Sequence, residues 1–281
     1  MPTKDRQRQL ARAKLERQMA RRAAAAKRRR QTQAAVGAGL ALLLVVVGAV
    51  FLVMNLNGDD DKDTAPQAAS GPQCTYQKAD ASTGQVKDVG TPPTSGIPDT
   101  GTRTVTMKTT IGEIDFTLDQ AAAPCTSNSI AFLAGKKFYD KTSCHRMTTQ
   151  GIFVLQCGDP FADGTGGPAY RYATENLPTN QHPPYPAGTI AMAKSSEAVS
   201  VGSQFFIVYK DIPEDALGAD YTVVGKVTKG LDLVEKAAAK GVTPADPSNP
   251  ADGKPKQTVT IETFTVSPAG AAAPSATPSA G

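Results

Sequence analysis

Tryptophan is absent from this chain of 281 residues, and histidine occurs only twice, as His145 and His182. The four cysteines, Cys74, Cys125, Cys144 and Cys157, include no Cys-x-x-Cys pair. A zinc site takes about four closely spaced ligands, so no metal is expected, and no motif for a cofactor takes its place. Cys144 and His145 are sequence neighbours whose side chains point to opposite faces of a strand, which excludes a thiolate–imidazole pair built from these two. The loop DGTGGP from Asp163 to Pro168 lacks the Gly-Lys-Ser/Thr ending of a phosphate cradle, and its glycines serve a tight turn instead. Acids are scarce at the N-terminus. The first 33 residues hold twelve Lys and Arg against Asp5 and Glu16, about +10, whereas the whole chain carries only +4. The remainder is therefore about −6, and no nucleic-acid partner is expected.

The neighbouring segment accounts for the basic arm. Ala34 to Met54, AAVGAGLALLLVVVGAVFLVM, is an uncharged apolar run. Its length, at about 1.5 Å rise per residue, matches a hydrocarbon core of about 30 Å. The run ends in NLNGDDDKD rather than a small-x-small cleavage site, so an uncleaved single-pass helix is expected over residues 34–56. Lys27 to Arg30 flank it on one side and Asp59, Asp60, Asp61 and Asp63 on the other. The excess of Lys and Arg places residues 1–33 in the cytoplasm, against an anionic lipid surface, and everything after Leu56 outside the cell membrane.

Residues 57–100 are rich in Pro, Gly and Asp and read as a disordered spacer, except for the island QCTYQ around Cys74, which is expected to dock. Residues 269–281 read as a disordered tail. The folded unit is then 101–268, taken as a monomer. It opens with TRTVTMKTTIGEIDFTLD, which alternates apolar and polar residues around a turn at Thr110 to Gly112 and predicts a β-hairpin. Pro124 to Ala134 predicts a short helix opened by proline, and Gly230 to Lys240 a second one closed by Gly241. FVLQC, GTIAMA, SQFFIVY, YTVVGKV and TVTIETFTV read as strands. Many strands with two short helices indicate a mostly β fold, most economically a closed antiparallel barrel without exposed edges. Arg146, Phe153, Gln156 and the later GSQFF combine a cation, amides and aromatics without a nucleophile or base. From the residues alone this is a β-rich exported domain with a candidate peptide-binding face.

Taken in order, His145-Arg146, FVLQCGD ending at Asp159, GTGGP at Gly164, Glu175-Asn176, GTIAMA at Gly188, GSQFFI at Gly202 and YTVVGKV at Tyr221 resemble the cyclophilin family of peptidyl-prolyl cis-trans isomerases, in particular its bacterial membrane-anchored or exported members. The resemblance covers about residues 103–266. It implies an enzyme of the cyclophilin barrel type that twists Xaa-Pro bonds of exported proteins without covalent intermediate or cofactor. The alternative it leaves is a catalytically weak peptide-binding or chaperone module tethered to the membrane. Carried over residue by residue, it puts the catalytic arginine at Arg146 and the glutamine that holds it at Gln156. Phe153, Val154, Phe206 and Leu217 then form the proline pocket, with Ala193 and Gln204 beside it. Lys194 stands where asparagine is common and Tyr221 where many members carry histidine. The Arg146 to Gln156 segment is two residues longer than in the commonest members, so Phe153 and Val154 are placed by counting back from Gln156, with Gln150 or Ile152 as the alternatives that the extra residues bring into reach. Ala216 falls where some members have tryptophan, so strong binding of cyclosporin-type inhibitors is not expected.

Outside the cytoplasm four cysteines allow three complete disulfide pairings. If Arg146 and Gln156 share a face, Cys144 shares it and Cys157 lies on the other, so a Cys144–Cys157 bridge is awkward without a bulge. Cys74 is favoured to pin the spacer to the barrel.

Overall fold

The computed structural model describes residues 71–80 and 84–270. The basic arm, the expected membrane helix at 34–56, the first part of the spacer and the tail beyond Gly270 lie outside the described residues. Among the described residues no helix is long and apolar enough to cross a membrane. Their elements are β1 (Gln77–Lys78), β2 (Val86–Lys87), β3 (Thr102–Thr109), β4 (Gly112–Asp119), α1 (Pro124–Gly135), β5 (Thr142–Ser143), β6 (Arg146–Thr148), β7 (Val154–Cys157), β8 (Gly167–Pro168), β9 (Tyr170–Ala173), β10 (Thr189–Met192), β11 (Val199–Val201), β12 (Phe205–Val208), β13 (Val223–Lys229), α2 (Leu231–Ala239), β14 (Val242–Pro244), β15 (Asp252–Pro255) and β16 (Thr260–Val266).

The expected hairpin is β3–β4, and its alternation becomes burial: Val105 and Met107 on β3 and Ile114, Phe116 and Leu118 on β4 face the core. The turn is tied by Thr109, whose hydroxyl donates to the Gly112 carbonyl at 2.7 Å and accepts the Ile111 N–H at 3.2 Å. Helix α1 begins with Pro124, where a missing N–H costs nothing. The Glu175 carboxylate then takes the Thr126 N–H at 2.6 Å and the Cys125 N–H at 3.4 Å. A carboxylate at this end also meets the positive end of the helix dipole. With no tryptophan to fill it, the core relies on other rings. Tyr139, Phe116, Phe205 and Phe264 pack together with centroids 4.4–6.1 Å apart.

The main sheet departs from the expected closed barrel. Its eleven strands pair in the order β14-β15-β6-β7-β12-β10-β13-β4-β3-β16-β5 and form a half-barrel, not a ring. The reason lies at Cys144 and His145, where one run of chain changes partner: the Cys144 N–H donates to Val259 and the His145 N–H to Gln156. Before that point β5 touches β16 over two residues, and after it β6 joins β7. The other edge of β6, which a ring would use, is taken by the β14–β15 hairpin through Asp252↔Thr148 and Gly253↔Met147. At the same seam Cys144 and Cys157 are disulfide-bonded with their Cα atoms 4.0 Å apart. The partner change supplies the irregularity that a regular ladder lacks, so the bridge that looked awkward from sequence forms.

The spacer is the second correction. Residues 71–80 and 84–100 are a docked strap, not a disordered linker. Cys74 pins the spacer to the folded unit, as favoured from sequence, and its partner, which the sequence left open, is Cys125 on α1. Strand β1 extends the β9–β11 sheet, and β2 runs parallel to β8. Tyr76 sits edge-on against Tyr170 and Tyr172, at 5.2 and 5.6 Å, and its hydroxyl donates to the Cys125 carbonyl.

Candidate active site

Strands β6 and β7 set Arg146 directly opposite Gln156. Directly paired residues share a face of the sheet, and the Arg146 Nη1 donates to Gln156 Oε1 at 3.3 Å. Gln156 passes the contact on: its Nε2 donates to Gln204 Oε1 at 2.8 Å, and the Gln204 Nε2 donates to the carbonyls of Gly164 and Gly166 at 3.0 and 2.9 Å. The loop carrying those carbonyls is wrapped on the fully buried Asp159 carboxylate, which accepts the N–H groups of Phe161, Gly164 and Gly166. A fully satisfied chain of this kind fixes each amide's orientation.

The strongest hold on Arg146 comes from a residue that sequence reading did not find. The Asp252 carboxylate takes the Arg146 Nε–H at 2.8 Å and the Nη2–H at 2.7 Å, a two-pronged pair with both side chains about one third exposed. These bonds, more than the opposing effect of burial, hold the guanidinium above its ordinary value. Three of the five guanidinium N–H groups serve Asp252 and Gln156. Asp252 reaches this place because β15 runs alongside β6, and Gly253 is required there: a side chain would strike the Thr243 carbonyl of β14.

Beside the guanidinium opens a pocket of about 360 Å³. Val154, Phe206, Leu217 and Ile152 give it an apolar wall, Ala193 and Lys194 one rim, and Tyr221 another. Behind it Tyr185 is fully buried, packed edge-on to Phe206 and Tyr221, with its hydroxyl donating to Gly218 and accepting the Tyr221 N–H. Burial pushes the Tyr185 phenol up to about 12. Lys194 is mostly covered, lies 5.4 Å over the Tyr221 ring and pairs with Asp220 at 3.2 Å.

Of the residues expected at the site, Arg146, Val154, Gln156, Ala193, Lys194, Phe206, Leu217 and Tyr221 line this pocket, and Gln204 lines the cleft next to it. Phe153 does not. It turns into the main core against Tyr209, with Lys210 over its ring, and Ile152 stands in the pocket in its place. Side-chain alternation explains the exchange: Ile152, Val154 and Gln156 share one face, while Phe153, Leu155 and Cys157 share the other. His145 is buried and does not line the pocket, and among the described residues neither ring nitrogen has a hydrogen-bond partner. Burial, only partly offset by Asp159, draws its pKa below the ordinary imidazole value. Among the described residues no cluster of His, Cys, Asp and Glu is placed to hold a metal ion.

Comparison with known proteins decides the family. The model described as cyclophilin type peptidyl-prolyl cis-trans isomerase/CLD matches residues 104–266. The chain belongs to this family. Among its cyclophilin relatives, a probable peptidyl-prolyl cis-trans isomerase B of Mycobacterium leprae is 42% identical over 214 residues, which are 71% of this chain and 68% of that protein. A protein of the same name from Mycobacterium tuberculosis is 40% identical over 209 residues, 70% of this chain and 64% of its own. This chain thus spans about two thirds of the length of those two relatives. A crystal structure of a Cryptosporidium parvum cyclophilin type isomerase, in the presence of the dipeptide Ala-Pro, is 25% identical, covers 59% of this chain and 99% of its own, and has a TM-score of 0.49.

Proposed function

We propose that this cyclophilin accelerates cis-trans isomerisation of Xaa-Pro bonds in exported proteins, held outside the cell membrane by the helix at 34–56, with no covalent step and no cofactor. The observation that carries the reading is the Arg146 fork, clamped by Asp252 and Gln156, at the mouth of an apolar pocket sized for a small ring. Rotation about a prolyl bond faces a barrier of about 18–20 kcal/mol from amide resonance. In the twisted transition state the proline nitrogen regains a lone pair, and a guanidinium N–H aimed at it stabilises that state more than the planar ground state. The pocket grips the ring, and main-chain groups near Lys194 hold the peptide still while the bond turns.

The test is isomerisation of a short Ala-Pro peptide by the purified chain. Acceleration by the wild type and its loss in Arg146→Ala are expected. No acceleration over background would leave the peptide-binding or chaperone module as the reading.

A further inference from the structure

Arg146 and Gln156 stand at the loose end of their hairpin. Strand β7 is fixed, since all four of its residues pair with β12, from Val154↔Val208 to Cys157↔Phe205. Strand β6 has three residues, of which only Arg146 and Met147 pair with β7. Toward the Thr149 to Phe153 loop the hairpin is tied by two further bonds: the Val154 N–H donates to the Thr148 hydroxyl at 3.2 Å, and the Tyr209 hydroxyl donates to the Thr148 carbonyl at 2.6 Å. At the other end Arg146↔Gln156 is the last pair, closed by the His145 N–H on the Gln156 carbonyl at 3.1 Å, and beyond it the chain leaves, with the Cys144 N–H on the Val259 carbonyl. The ends of a ladder open more readily than its middle.

The Asp252 clamp does not correct this. Asp252 belongs to β15, and within the sheet the described residues join β14, β15 and β6 to the rest through the β6–β7 ladder alone. A shift of β6 therefore carries Asp252 and the guanidinium along together, away from Val154 and Phe206, which line the pocket from β7 and β12. Gln156 reaches Arg146 by one bond of 3.3 Å, long for a charged donor. His145 adds no polar tie, as neither ring nitrogen has a partner among the described residues. What does cross the seam at this end is covalent. Cys144 and Cys157, two residues before Arg146 and one after Gln156, are joined to each other and buried in the main core.

We propose that the Cys144–Cys157 disulfide is a positioning device for catalysis: by locking the open end of the β6–β7 ladder it holds the Arg146 guanidinium in register with the proline pocket. The inference rests on the isomerase reading in taking Arg146 as the group that acts on the prolyl nitrogen. It gives the two disulfides different work. Cys74–Cys125 fastens the strap to α1, and neither cysteine lines the pocket. Cys144–Cys157 acts on the reaction through Arg146. Breaking it lowers kcat, because a positioned group loses its aim, and leaves KM to the pocket walls of β7 and β12, which stay in place.

The experiment uses the full-length chain in mild detergent, turnover of a short Ala-Pro peptide, and side-chain NMR of isotope-labelled arginine, in which Arg146→Lys identifies the Arg146 Nε–H. In Cys144→Ala/Cys157→Ala, kcat is expected to fall about tenfold with KM within about twofold of the wild type, and the Arg146 Nε–H resonance to broaden or double. Cys74→Ala/Cys125→Ala, which breaks the other bridge, is expected to keep kcat within about twofold. In an Arg146→Lys background, removing Cys144–Cys157 should have little further effect on kcat, since the group it aims is gone. If the alanine pair does not fold, Cys144→Val/Cys157→Ala, which refills part of the space, takes its place. An unchanged kcat, an equal loss in the Arg146→Lys background, or an equal loss on breaking Cys74–Cys125 overturns the proposal. If the wild type itself has no turnover, the isomerase reading falls and the resonance decides alone: broadening in the variant supports the bridge as the lock on Arg146, and an unchanged resonance removes it.

Discussion

At the scale of the residue, Asp252 and Arg146 pose a clear question, because the carboxylate both aims the guanidinium and partly neutralises it. If aim dominates, Asp252→Asn leaves the fork held on one side only and turnover falls, since small misplacements of a positioned group are costly. We expect kcat to drop about tenfold with KM nearly unchanged, and Arg146→Lys, which loses the planar fork, to drop it about a hundredfold. A rise in KM with kcat intact in Asp252→Asn would make Asp252 a binding residue instead. A second pair of variants tests the exchange of Phe153 for Ile152. Phe153→Ala removes a half-buried ring from the main core and should cost about 2–3 kcal/mol in urea unfolding with KM little changed. Ile152→Ala should do the reverse, raising KM a fewfold with stability nearly intact. Sequence reading placed Arg146 and Gln156 through the family resemblance of the segments that carry them, and the two stand opposite each other on adjacent strands. It missed Asp252 because the partner is 106 residues away and Ala-Asp-Gly reads only as a turn.

At the scale of the element, the hairpin β3–β4 and both helices were legible because each announces itself locally, by alternation, by a proline at its start or by a glycine at its end. The strap was not legible. Its composition is that of a linker, and what holds it is backbone pairing to β9 and β8, a disulfide and one aromatic residue, Tyr76. The half-barrel was missed for a related reason: two-residue contacts such as β5 on β16 carry no pattern. The disulfide has a measurable consequence. Cys74 and Cys125 are 51 residues apart, and closing a loop of that length stabilises a fold by at most about 4 kcal/mol. Cys74→Ala/Cys125→Ala should therefore lower the urea midpoint and open residues 71–100 to limited proteolysis, while the β3–β16 unit survives as a resistant core. Equal resistance of the strap with and without the bridge would show that β1, β2 and Tyr76 hold it unaided.

At the scale of the whole molecule, pH links the interior to stability. The pKa of His145 is drawn down by burial, so the unfolded chain binds a proton there at a higher pH than the folded one does. Its contribution is fully present above the ordinary imidazole pKa of about 6.5 and is lost as pH falls below it. The thermal midpoint should accordingly fall between about pH 7 and 5 in the wild type, and fall less in His145→Gln. A difference between the two that does not vary with pH would remove His145 as the cause. The other molecular-scale expectation concerns the compartment. All four cysteines are in disulfides, which persist in oxidising surroundings. The proposed topology, with residues 1–33 inside and the domain outside, puts the domain in such surroundings. External protease added to intact spheroplasts should then digest the strap and domain and leave a membrane-embedded N-terminal fragment. Non-reducing peptide maps of the released domain should show Cys74–Cys125 and Cys144–Cys157. A domain that resists protease until the cells are lysed, with four reduced thiols, would place it on the cytoplasmic side and remove exported proteins as its substrates.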